Sequence, residues 1–143
     1  TGNRQQATGN RQQATGNGQP GGPLRVGSDI AERLMKLSVA SVRLAARLPR
    51  NVAGRHVAGQ LIRSATGGGA NYDEARAAES RNDFVHKVGI AAKEIRETVF
   101  WLELVQRCGW MKADLSAGIR EAGELAAILA ASARTARKNV SSE

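Results

Sequence analysis

The segment from Gln60 to Tyr72 (QLIRSATGGGANY) contains three consecutive glycines between two stretches with helical patterning. Residues without side chains have two uses here: glycine amides in a loop cradle a phosphate, and a glycine in a helix lets a second helix approach closely. The Gly-Lys-Ser/Thr ending of a phosphate-binding loop is absent, and no strand pattern precedes the run. We therefore interpret Gly67, Gly68 and Gly69 as a thin section of a helix at a helix–helix contact. Replacing Gly69 with leucine should then disrupt folding or assembly.

The residue types that support metal or nucleophilic chemistry are few and scattered. His56 and His86 fall in different predicted helices, and neither has a second ligand at metal-binding spacing, so no metal site and no cofactor is predicted. Cys108 is the only cysteine, which excludes an internal disulfide, and we interpret it as a packing residue. A further set of charged residues is interpreted as structural salt bridges or a solvated face rather than as a catalytic pair. These residues are Glu74, Lys87, Lys93, Glu94 and Glu97. No catalytic residue is identified, and the chain is predicted not to be an enzyme.

Charge is the clearest functional signal. The net charge is +8 and the isoelectric point is near 10.8. Residues 1–27 carry +3, residues 28–66 carry +5, and the remainder is neutral. A concentrated positive charge favours an anionic partner such as nucleic acid or an acidic protein, and the alternative is a solvated basic face. The candidate nucleic-acid-binding residues are Arg43, Arg47, Arg50, Arg55 and Arg63. We expect weak sequence specificity, because no aromatic stacking platform or base-reading motif is visible.

The elements that would position these residues are helices. Residues 1–27, which include two copies of TGNRQQA, are predicted to be a disordered low-complexity tail, residues 28–138 a four-helix bundle, and residues 139–143 a disordered C-terminus. Apolar residues recur at helical spacing in four segments, and no β pattern competes. The predicted limits are Ser28 (N-cap) to about Arg47, Asn51 (N-cap) to about Ala78, Ser80 (N-cap) to Cys108 with Gly109 after it, and about Lys112 to Lys138.

Short turns between helices of this length predict an all-α, antiparallel up-down-up-down four-helix bundle. The first helix carries a second, thinner apolar stripe that includes Met35, Val39 and Val42, and such a stripe suggests contact with a second subunit. No run of about 18 apolar residues is present, so no membrane partner is expected. The single cysteine is consistent with a cytoplasmic location.

An ordered set of motif residues carries a resemblance to a known family. The set comprises the run Gln60 to Tyr72, Glu74-Ala75, Ser80, Asp83-Phe84, Lys87, Ile90-Ala91, Lys93-Glu94, Glu97 and Trp101-Leu102. It resembles the bacterial four-helix bundle proteins first noticed as products of intervening sequences in large-subunit ribosomal RNA genes. The same fold group includes the accessory variability determinant proteins of diversity-generating retroelements. In the family the glycine stretch usually reads Thr-Ser-Ile-Gly-Ala-Asn, and here Gly67 and Gly68 replace the serine and the isoleucine.

The resemblance implies a small helical bundle that assembles as a homopentameric barrel with a central channel. The retroelement members have a basic surface that binds nucleic acid and the reverse transcriptase, and no member is known as an enzyme. We carry over only motif positions, as structural residues: Gly67, Gly68, Gly69, Asn71, Glu74, Asp83, Lys87, Glu94 and Trp101. The leading hypothesis is an oligomer that binds nucleic acid, RNA or DNA, or serves as a reverse transcriptase accessory subunit. The alternative is a protein-interaction or self-assembly module without nucleic-acid binding.

Overall fold

The computed structural model describes residues 23–142, with side-chain detail from 27 to 142. The described chain is all-helical, as predicted, and it contains no strand. Its four helices are α1 (Pro23–Ala45), α2 (Val52–Arg76), α3 (Arg81–Cys108) and α4 (Ser116–Ser141). The predicted disorder of the tail up to residue 22 lies outside the described residues.

Local capping signals set the limits of the two central helices. Asn51 is the N-cap of α2, where its side-chain oxygen accepts a hydrogen bond from the amide of Gly54 at 2.9 Å. Ser80 caps α3 in the same way, accepting from the amide of Asp83 at 3.1 Å. Gly109 ends α3 with a φ of 67°, the left-handed conformation that glycine adopts without a steric cost. These three caps confirm the sequence prediction.

The limits of the first and last helices, α1 and α4, differ from the prediction. α1 starts at Pro23, so Ser28 lies inside the helix and is not its N-cap. A proline suits the first position of a helix because the amide there has no intrahelical partner. α4 starts at Ser116 rather than near Lys112, since Asp114 accepts hydrogen bonds from the amide and the hydroxyl of Ser116. It continues to Ser141, three residues beyond the predicted end.

The three glycines lie inside α2, which is continuous from Val52 to Arg76. They form neither a phosphate loop nor a helix break. Gly68 is buried against Ile95 of α3, and Gly69 lies beside Ser38 and Leu34 of α1. The glycine run therefore marks the place where α2 passes between its two neighbours, and the absence of side chains allows all three helices to approach.

The core consists of two apolar clusters, and the larger one has contributions from every helix. Fully buried members include Leu34 of α1, Leu61 of α2, Ile95 of α3, and Leu125 and Leu129 of α4. The rest of the cluster is largely alanine, which permits close helix packing. Burial of each large aliphatic side chain contributes roughly 1.5–3 kcal/mol to folding.

Helix α1 packs mainly against α2 and makes fewer contacts with α4. Its link to α4 is an ion pair in which Arg33 binds Glu121 and Glu124. Its link to α2 includes Ser38, whose hydroxyl lies 3.1 Å from the carbonyl oxygen of Ala65. None of the helices in the described residues combines the length and the apolar character needed to cross a bilayer.

Candidate nucleic-acid interface

Two turns of the chain meet at one end of the bundle. Leu48 of the α1–α2 turn is buried with Val57 and Val105, and Trp110 and Met111 of the α3–α4 turn pack against this group. The apolar contact fixes the two turns side by side. Charged residues in either turn therefore belong to a single surface, although they are far apart in sequence.

Four of the five predicted arginines lie at this end. Arg43 is in the last turn of α1, Arg47 and Arg50 are in the turn that follows, and Arg55 is in the first turn of α2. All four are exposed. No acidic residue occurs between Glu32 and Asp73 in the sequence. Among the described residues, none of the four has a side-chain hydrogen bond or an ion pair, so no residue of this part of the chain neutralises their charge.

The α3–α4 side adds two cations that the sequence analysis did not select. Arg107 lies in the last turn of α3 and Lys112 lies in the following turn, and both are exposed. They were missed because the second half of the chain has no net charge, and only the fold brings them beside the arginine-rich turn. We define the basic end as Arg43, Arg47, Arg50, Arg55, Arg107 and Lys112. The acidic Asp114 lies nearby and keeps its negative charge, because the hydrogen bonds from Ser116 favour its ionised form.

Arg63 differs from the other four candidate arginines. Its guanidinium binds Glu94 at 3.0 Å and also pairs with Glu97, and both glutamates lie on α3. Its Nε–H donates a hydrogen bond to the side-chain oxygen of Gln60 at 3.1 Å, so this donor is also used. Two carboxylates therefore neutralise its charge. We remove Arg63 from the candidate phosphate contacts and assign it to the α2–α3 interface.

The motif residues that carry the resemblance connect α2 to α3 or stabilise one of these helices. Lys87 binds Glu74 at 2.7 Å, and this hydrogen bond raises the pKa of the lysine. Trp101 donates its indole N–H to Glu97 at 3.1 Å. Asn71 donates to the carbonyl of Gly67 at 2.8 Å within α2. The polar residues of these contacts are partly or fully exposed and do not belong to the buried core.

Three aromatic rings contact one another, and one of them belongs to His56, the residue after Arg55 of the basic end. His56 of α2 contacts Trp101 of α3 edge to face, with ring centroids 5.9 Å apart and an interplanar angle of 77°. Trp101 contacts Phe100 at 4.9 Å and 80°. Phe100 is 56% exposed. The sequence gives no sign of these ring contacts, because the rings come from two helices and no sequence motif unites them.

The remaining candidates for chemistry stay apart. Cys108 is exposed, which corrects its interpretation as a packing residue. Among the residues with described positions, no three His, Cys, Asp or Glu side chains come together as a metal site. The site therefore consists of unpaired cations and exposed aromatic rings at one end of a helical bundle.

The comparisons agree with this architecture. The model of the family described as 23S rRNA-intervening sequence protein matches residues 27–131. The chain belongs to this family. A crystal structure of a protein with unknown function from the S23 ribosomal protein family of Bacteroides thetaiotaomicron is 29% identical. The match covers 76% of this chain and 97% of that chain, with a TM-score of 0.67. No curated protein matches the chain. The intervening-sequence part of the resemblance is thus confirmed, while its retroelement part gains no support from these matches.

Proposed function

We propose that this chain is a non-enzymatic oligomeric bundle that binds nucleic acid through its basic end. The observation that carries the proposal is the cluster of Arg43, Arg47, Arg50 and Arg55, whose charges have no partner among the described residues. Such side chains bind phosphates and release condensed counterions, which provides affinity without reading sequence. The same end gains Arg107 and Lys112 from the second turn, so that the positive surface spans the end of the bundle.

The helix arrangement that supports this surface is an up-down-up-down bundle. Leu34 of α1 lies near Gly69 of α2, whereas Ser38, one turn later, contacts Ala65, one turn earlier. The paired residue numbers of α2 and α3 also run in opposite directions. This alternation puts the first and third turns of the chain at one end.

We further propose that copies of the chain assemble, with a homopentamer as the expected form. The support is the second apolar stripe of α1, in which Met35 is 55% exposed and Val39 and Val42 are also exposed. A ring would multiply the +8 charge of one chain and join several basic ends. The pentamer number and the reverse transcriptase as a partner rest on the resemblance. Failure of the chain to co-elute with a retroelement reverse transcriptase would remove that partner.

Measuring affinity for a labelled oligonucleotide against salt concentration tests the phosphate contacts. The key variant is Arg47→Gln/Arg50→Gln at the basic end. Its matched control is Arg134→Gln/Arg137→Gln, which removes the same charge from exposed positions near the opposite end of α4. The first variant should reduce the slope of log affinity against log salt by roughly 1.4–1.8, and the control should leave it unchanged. Equal effects of the two variants would assign binding to net charge and not to the basic end.

A second candidate function is protein interaction without nucleic acid, and the exposed apolar stripe of α1 favours it. Light scattering reports the subunit count, and the ratio of absorbance at the nucleic-acid maximum to that at the protein maximum reports bound nucleic acid. Together the two measurements separate the candidate functions. An oligomer that carries or takes up nucleic acid supports the first function. A monomer that takes up none contradicts both the assembly and the binding.

A further inference from the structure

An exposed aromatic group adjoins the basic end and has no part in the phosphate contacts proposed above. Trp101 is contacted edge to face by His56 on one side and by Phe100 on the other. Its indole N–H is fixed on Glu97 at 3.1 Å, so the central ring of the group is held in place. Phe100 leaves more than half of its surface in solvent. Single exposed apolar side chains are common on protein surfaces, so the exposure of Phe100 gains significance from the charge and the groove beside it.

Phe100 forms one wall of a shallow groove of about 330 Å³. The other walls come from the last two turns of α3 and include Leu104, Cys108 and Arg107. The lining is mostly apolar and includes two charged side chains, Glu103 and Arg107. This combination fits a flat, weakly polar group that is attached to an anion. The stacked face of a nucleobase next to its own phosphate has this chemistry.

Arg107 connects the groove to the basic end. It lines the groove together with Phe100 and also belongs to the six unpaired cations that surround the two turns. The i,i+4 neighbour Glu103, which could have neutralised Arg107, forms no ion pair with it among the described contacts. A strand that follows the cations of the turns would therefore reach the groove through Arg107 and bring a base to Phe100.

We propose that the nucleic acid bound by this protein is single-stranded, with an unpaired base stacked on Phe100 and its phosphate held by Arg107. The proposal rests on the proposed function and adds the class of nucleic acid. A base within a duplex has both faces covered by its neighbours, so it cannot stack on a protein ring. An unpaired base of any identity presents a free face, and the preference is for single strands without a preference for sequence.

The test compares binding of a labelled oligothymidylate and a labelled hairpin duplex to wild type, Phe100→Leu and Phe100→Tyr. Leucine keeps the apolar contact and removes the ring, whereas tyrosine keeps the ring. Phe100→Leu should weaken oligothymidylate binding about tenfold and leave duplex binding within about twofold, and Phe100→Tyr should restore single-strand binding. Circular dichroism and light scattering of each variant accompany the titrations, and the exposed position of Phe100 makes a folded leucine variant the expected result.

The outcomes separate this proposal from the proposed function. If wild type binds neither probe, the proposed function fails. If wild type binds both probes and Phe100→Leu changes neither, nucleic-acid binding stands and the stacking proposal is overturned. A changed subunit number in Phe100→Leu would show that a second copy covers the ring, which also overturns it. Loss confined to the single strand, with recovery in Phe100→Tyr, supports it.

Discussion

Gly68 of α2 lies so close to Ile95 of α3 that a β-carbon on Gly68 would be 2.6 Å from Cγ1 of Ile95. The carbonyl oxygen of Ala91 would be 3.5 Å from the same β-carbon. The distance between α2 and α3 is therefore set by the absence of a side chain at this position. Since this helix pair also carries the aromatic group, its spacing positions the rings of His56 and Trp101 relative to each other.

Substitution of Gly68 by alanine should destabilise the bundle by about 1–3 kcal/mol, because the added methyl group overpacks the contact with Ile95. Urea unfolding followed by circular dichroism measures the change. The matched control is Gly59→Ala on the same helix, where a β-carbon meets nothing within 4 Å. That variant should be stabilised by up to about 1 kcal/mol, since alanine is the better helix former. If both variants gained stability, the close contact at Gly68 would be contradicted.

Substitution of Gly54 by alanine should destabilise the protein more than substitution of Gly68, because the atoms that face Gly54 belong to the backbone. A β-carbon on Gly54 would lie 2.7 Å from the carbonyl carbon of Pro49. A change of rotamer cannot relieve this clash. We expect Gly54→Ala to displace the turn that holds Arg50 and to lower both the stability and the affinity for nucleic acid. Asn51→Ala, which removes the cap but adds no clash, should cost about 1 kcal/mol. A smaller loss in Gly54→Ala than in Asn51→Ala would exclude the clash.

Sequence signals were sufficient at three helix ends whose capping is local. Asn51, Ser80 and Gly109 were assigned from the residue types that satisfy helix ends, and these assignments were correct. The start of α4 was placed too early because the hydrogen bonds between Asp114 and Ser116 compete with continued helix, and periodicity does not register such a competition. The helical character of the glycine run followed from patterning on both of its sides.

The candidate site was less accessible to sequence reasoning, because its properties depend on contacts between helices. Arg63 lies in the same acid-free stretch of sequence as the other candidate arginines, yet Glu94 and Glu97 from α3 neutralise it. The contact between His56 and Trp101 likewise joins residues of two helices. Arg107 was overlooked because the net charge of the second half of the chain is zero, and this total does not show that Arg107 lies near the first turn. Pairing information of this kind is absent from a single sequence.

The ion pair between Arg33 and Glu121 should make a small, salt-dependent contribution to the packing of α1 on α4. The arginine side chain is 30% exposed and that of Glu121 is 39% exposed, so solvent screens much of their attraction. A double-mutant cycle of Arg33→Gln and Glu121→Gln should give a coupling energy of less than about 1 kcal/mol that falls with added salt. Coupling that is independent of salt would indicate a packing contact through the aliphatic part of Arg33 instead of an ion pair.

Asp114 should contribute stability that depends on pH. Its carboxylate accepts hydrogen bonds from the hydroxyl and then the amide of Ser116, and these lower the pKa of Asp114 below its ordinary value of 3.8. A group whose pKa is lower in the folded protein than in the unfolded chain stabilises the fold when it is ionised. The contribution is therefore complete above the ordinary pKa and is lost as the pH falls through the lower pKa of the folded state.

The contribution of Asp114 to the free energy of unfolding can be measured by urea unfolding of wild type and Asp114→Ala over a pH series. Wild type should be more stable than the variant at neutral pH, because α4 loses a hydrogen-bond acceptor at its start when Asp114 is replaced. The difference should shrink as the pH falls below 3.8, since the protonated carboxyl is a weaker acceptor. Ser116→Ala provides the matched control, as it removes the hydroxyl donor while retaining the carboxylate, and it should reproduce part of the loss with the same pH dependence. A difference that stays constant through the acid range would mean that Asp114 stabilises the turn by packing, and the charge of its carboxylate would then have no part in starting α4.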